Sequence, residues 1–181
     1  MVEIILVIFM ITMFSGILVY NFPRALKQFA LSRVSYKLAQ DLRKVEDLGL
    51  SGFDTIQGAK GYGIYVSTNI GTEYILYADR GDVPDSRFDG SSQLCAGEFL
   101  NPQEDCILET VDISKENPGL YIDNLENILG FFTSINFSPP NPDIAIDNLS
   151  GNEVGIVLKV HDEIDLERRV WVNTSGLIKV E

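Results

Sequence analysis

Between Ile4 and Pro23 twenty consecutive residues carry no charge. As a helix rising about 1.5 Å per residue, that run is roughly 30 Å long, the thickness of a bilayer core. It predicts a membrane-spanning helix over residues 1–23. Tyr20, Asn21, Phe22 and Pro23 stand where a small-residue cleavage site would follow a signal peptide, so the segment is expected to be retained. Past Pro23 the pattern changes: Leu26, Ala30, Val34, Leu38, Leu42 and Val45 recur every three or four positions, with Arg33, Lys37, Asp41, Arg43 and Lys44 largely between them. This is the signature of an amphipathic helix over 24–50, with Gly49 after Leu48 as its expected left-handed cap. Span and helix would form one rod, weakened at Gly16 and Pro23, where a bend is expected.

From residue 60 short runs rich in β-branched and aromatic residues take over: Tyr62 to Val66, Tyr74 to Tyr77, Ile107 to Ile113, Phe131 to Phe137, Val154 to Val160, Val170 to Val172 and Leu177 to Val180. Asn173, Thr174, Ser175 and Gly176 between the last two read as a hairpin loop. Further turn signals lie at Gly81 to Gly90, Asn117 to Gly119, the Pro139, Pro140 and Pro142 cluster, and Asn148 to Asn152. The expected fold class is α+β. A mostly antiparallel sheet forms a globular head over 51–181, and the apolar stripe of the amphipathic helix covers it, so that stem and head share one core.

Charge divides the chain at the same place. Residues 1–50 hold six Lys/Arg against four Asp/Glu, leaving eight basic and 22 acidic residues for the head, within a formal net charge of -12. Such a head repels phosphate backbones and argues against nucleic acid as a partner. Arg24, Lys27, Arg33 and Lys37 behind the span favour a cytoplasmic head by the positive-inside rule, although long domains translocate largely regardless of flanking charge.

The two cysteines, Cys95 and Cys106, have ten residues between them in a loop-like segment. A disulfide between them would stabilise by roughly 3 kcal/mol and imply an oxidising compartment, and two buried thiols are the other reading. Asp79, Asp82, Asp85 and Asp89 gather four carboxylates on one loop, a chemistry suited to a hard cation such as calcium. Their spacing is not that of an EF-hand, and Arg80 and Arg87 beside them also fit a solvated turn. The single histidine, His161, opens an expected turn to Asp165 among acidic neighbours, and no nucleophile, metalloprotease or nucleotide motif occurs, so an enzyme is not expected. Three glycosylation sequons begin at Asn136, Asn148 and Asn173.

Glu3 places a carboxylate at the border of the uncharged span, where an ionised acid drawn inside needs a partner. Val2-Glu3-Ile4-Ile5-Leu6-Val7-Ile8, followed by Gly16, Pro23 and Leu38-Ala39-Gln40-Asp41-Leu42, resembles the N-terminal methylation segment of type IV pilins and pseudopilins. Gly61-Tyr-Gly-Ile-Tyr65, Tyr74-Ile-Leu-Tyr-Ala-Asp79 and the closing hairpin from Arg169 to Lys179 are similar to minor pseudopilins of the type II secretion H and FimT-like kind. The resemblance implies a filament subunit with no cofactor, a pilin-like fold and an extracytoplasmic head. It implies a homo-oligomer or related pilin subunits as partners, with the inner membrane and an assembly platform before assembly. It implies that Glu3 pairs with a neighbouring subunit's methylated N-terminal amine, and that the stem stretches between Gly16 and Pro23. No leader glycine or Phe-Thr pair stands at Met1-Val2, and the sequence upstream is expected to encode a basic stretch with a cleavage-site glycine. The alternative is a single-pass anchored binding domain that does not polymerise.

Overall fold

In the computed structural model, which describes residues 2–51, 56, 58–80, 86–90, 92–96, 104–139, 143–161 and 163–181, the rod is a single helix. This helix, α1 (Val2–Ser51), runs uninterrupted across Gly16 and Pro23. Pro23 withholds one amide from the ladder, a deficit the neighbouring turns absorb without ending the helix. The expected cap at Gly49 is not one, because the helix continues to Ser51 and Gly49 lacks a left-handed backbone. Its smallness serves packing instead, since a Cβ there would lie 2.5 Å from the carbonyl oxygen of Phe137.

Among the described residues nine strands follow: β1 (Gly61–Ser67), β2 (Glu73–Asp79), β3 (Cys106–Asp112), β4 (Leu120–Glu126), β5 (Phe132–Ser138), β6 (Asp143–Ile146), β7 (Glu153–Val160), β8 (Glu163–Asn173) and β9 (Ile178–Val180). They form two antiparallel sheets rather than the one expected, ordered β3-β2-β1-β5-β6 and β4-β7-β8-β9. The sheets are joined where the Ile122 amide donates to the Gly71 carbonyl at 2.6 Å.

The second half of α1 lies against β1 and β5 of the first sheet and β7, β8 and β9 of the second. Leu31, Val34, Leu38, Leu42 and Val45 are buried among Ile64, Ile135, Phe137, Ile156 and Val172. Helix and sheets therefore share one core, as the periodicity implies. The buried stripe begins at Leu31, however; Leu26 is exposed and Ala30 only half-buried. Polar ties reinforce the apolar contact. Tyr74 donates its hydroxyl to Asp41 at 2.6 Å, and Arg33 with Glu116, Lys44 with Glu109, and Lys27 with Glu163 pair helix to head.

The closing hairpin forms as expected: β8 pairs with β9, and Asn173 Oδ1 accepts from the amides of Ser175 and Leu177. The expected turn from His161 to Asp165 does not form in full, because β8 starts at Glu163.

Candidate functional site

Two regions carry the residues singled out by sequence, the free half of the stem and the loop-covered face of the first sheet. On the stem, no side chain described between Val2 and Arg24 is buried, although nearly all of them are apolar. Among the described residues this is the one helix long and apolar enough to cross a membrane. Glu3 lies exposed in its first turn, where a carboxylate favourably meets the positive end of the helix dipole. Glu3 forms no ion pair among the described residues. A Cβ added at Gly16 would meet nothing within 4 Å. The isolated chain therefore gives no packing reason for glycine there. Thr12 returns its hydroxyl to the carbonyls of Ile8 and Phe9, which satisfies this polar side chain within the helix.

The face of the first sheet turned from α1 is polar and buried. Alternation along β5 sends Ile135 and Phe137 toward the helix and Ser134 and Asn136 the other way, yet all four are buried. The residues from 86 to 90 cover that second face. Phe88 inserts between Tyr65 and Tyr77, with ring centroids 5.3 and 5.2 Å away. The Tyr77 ring occupies the space left by Gly63, where a Cβ would come within 2.4 Å of it. The two glycines of β1 are thus sites of close packing, which their sequence context alone does not separate from turn punctuation.

Two buried carboxylates hold this cover. Asp79 Oδ2 accepts from Asn136 Nδ2 at 2.9 Å and from the Ser86 amide at 3.2 Å. Asp105, absent from the sequence-based candidates, accepts from the amides of Arg80 at 3.1 Å and Asp89 at 2.9 Å. Burial pushes the Tyr77 phenol well above its usual range, so it stands as a neutral hydroxyl beside them. Of the proposed calcium ligands, Asp79 is buried and turned to Asn136, and Asp89 is exposed and contributes its amide. Asp82 and Asp85 lie outside the described residues. Among the described residues no group of three or more acidic, histidine or cysteine side chains is arranged to hold a metal ion. The arrangement in view anchors a loop.

Cys95 and Cys106 are bonded, with Cα atoms 5.0 Å apart. The Cys95 amide also donates to the Ile107 carbonyl and the Ile107 amide to the Gln93 carbonyl, so the stretch from 93 to 95 is stitched to β3 by backbone as well as by the disulfide. His161 is exposed and stacks on Tyr121 at 4.5 Å, a surface contact. Asn136 is wholly buried, which removes its sequon from any modifying enzyme's reach in the folded chain. Comparison with protein-family models, curated proteins and solved structures finds no match to this chain.

Proposed function

We propose that this chain is a structural subunit of a membrane-derived filament of the type IV pilin or pseudopilin kind, assembling through the N-terminal half of α1. The observation that carries the reading is the division of one helix into two roles. Its second half is core to the head, while its first half is an exposed apolar rod with a single carboxylate, Glu3, near its tip. A bilayer satisfies such a rod before assembly, and the rods of neighbouring copies satisfy it afterwards. The head then sits on the extracytoplasmic side, where the Cys95–Cys106 disulfide persists.

In this reading Glu3 pairs with the N-terminal amine of the next subunit and sets register through charge. Stranding one partner of such a pair in a low-dielectric bundle costs about 3 to 5 kcal/mol, and the distant head does not feel it. Glu3→Ala is therefore expected to fold, insert and fail to enter filaments. Head melting temperature, membrane insertion and filament incorporation are compared with wild type in the native background. Unchanged incorporation would leave Glu3 a helix-end acid, whereas absence of the wild-type chain from any filament would favour a non-polymerising anchored binding domain.

A further inference from the structure

We propose that Asn173 is a modification site, the acceptor through which an enzyme attaches a saccharide to the head. The inference goes beyond the filament reading and takes from it only the extracytoplasmic placement of the head. Asn136, Asn148 and Asn173 each open an Asn-x-Ser sequon, and sequence alone does not rank them. A side-chain amide is a ready acceptor where it is reachable, where its nitrogen is released from other hydrogen bonds, and where a turn brings the third residue's hydroxyl to it. Asn136 receives the Ser138 hydroxyl at 3.0 Å, but it is wholly buried and its Nδ2 donates to Asp79 at 2.9 Å. Asn148 spends its Nδ2 on Asp147 Oδ2 at 3.2 Å and on the Phe132 carbonyl at 3.5 Å. Among the described residues Ser150 gives it no hydroxyl contact.

Asn173 meets all three conditions. It closes β8 at the tip of the last hairpin, where Thr174, Ser175 and Leu177 are exposed. Its Oδ1 accepts from Ser175 Oγ at 2.8 Å and from the amides of Ser175 and Leu177, each at 2.9 Å. Backbone amides can only donate, so the atom facing them is the oxygen. The Nδ2 makes no hydrogen bond among the described residues. Backbone bonds fix the tip: the Thr174 amide donates to the Asn152 carbonyl at 3.0 Å and the Gly176 amide to the Asn173 carbonyl at 3.1 Å. The turn is thus formed before any enzyme binds it. The chemistry follows from the same contacts. An amide nitrogen is a weak nucleophile because its lone pair is delocalised into the carbonyl, and three donors on Oδ1 make its N–H easier to deprotonate. The co-substrate is a saccharide linked through phosphate or pyrophosphate to a lipid, which shares a bilayer with a chain anchored by α1. Asn173 Nδ2 bonds to the anomeric carbon, the bond from that carbon to the phosphate oxygen breaks with its electron pair leaving on the phosphate, and a base of the transferring enzyme takes the Nδ2 proton.

The test is peptide mass spectrometry on the full-length protein isolated from its native membrane. The expected result is an added saccharide mass on the peptide that carries Asn173, with bare peptides over Asn136 and Asn148. Asn173→Gln and Ser175→Ala each abolish the added mass, whereas Ser175→Thr retains it and Ser150→Ala leaves it unchanged. Ser175→Ala keeps both backbone amides on Asn173 Oδ1, so its circular dichroism stays that of wild type and the lost mass reads the site rather than misfolding. A bare Asn173 peptide in the wild-type protein, or a saccharide on Asn148 in its place, overturns the proposal. A membrane-impermeant amine label applied to intact cells separates the two levels of failure. A labelled head with bare Asn173 overturns the site and leaves the filament reading standing, whereas bare Asn173 on a head closed to the label overturns the extracytoplasmic placement as well.

Discussion

Gly49 lies inside a helix, where glycine is about 1 kcal/mol less favourable than alanine, but the Phe137 backbone occupies the space an alanine methyl would need. Helix propensity and packing therefore predict opposite signs for Gly49→Ala. Because the obstruction is backbone and cannot rotate away, packing prevails, and a loss of about 1 to 3 kcal/mol in urea unfolding is expected. Glu46 supplies a second residue-level test. Burial, then the neighbouring charge of Asp47, raises its carboxyl above the usual range, with Arg43 pulling the other way. The folded state thus binds this proton more tightly than the unfolded chain. Stability from that preference is full below the unfolded value and is lost as pH rises through the folded one. Glu46→Gln, which stays neutral, is expected to raise the melting temperature at about pH 7 and leave it nearly unchanged at about pH 3.

At the scale of elements, the Cys95–Cys106 bond acts on the segment that covers the first sheet. Replacing both cysteines by alanine is expected to cost about 3 kcal/mol by loop-closure entropy. Hydrogen exchange at Phe88 and Asp89 should accelerate more than at Leu38 or Ile135, because of the ring's described residues only Cys106 and the half-buried Cys95 join the shared core. The elements that sequence reveals are those with a one-sided apolar pattern, such as α1 beyond Leu31, β1, β2, β5 and β7. The ones it hides carry charged residues on their outer faces beside core residues such as Leu120, Ile122 and Leu125. In β4 and in the first part of β8, Lys159 bridges Asp123 and Glu167 while Arg169 bridges Glu126 and Glu167, so charges that resemble a loop belong to a sheet surface. β6 is four residues long and follows the proline cluster, too short for a period to emerge. The candidate site was legible in the same uneven way. The stem announces itself by composition, and the cysteine pair by spacing. The burial of Asp79 and Asp105 depends on which segment folds over β5, and that is a tertiary outcome.

For the whole molecule, the division of α1 predicts that the head is independent of the rod it carries. Deleting residues 2–23 removes none of the side chains described as buried, so the head's melting temperature should stay within about 3 °C, the shift expected from roughly 1 kcal/mol in a domain of this size. Solubility, by contrast, should rise sharply, since those residues are the largest exposed apolar surface described. The same helix has a mechanical consequence. A pull on the rod along its axis enters the head through Leu31, Val34, Leu38, Leu42 and Val45 together, spread over about 20 Å. The load falls on these contacts in shear, side by side, instead of peeling them one after another. Detaching the head under tension would therefore require many contacts to fail at once, and the endurance of such a joint is set by the rate of forced unfolding rather than by equilibrium stability.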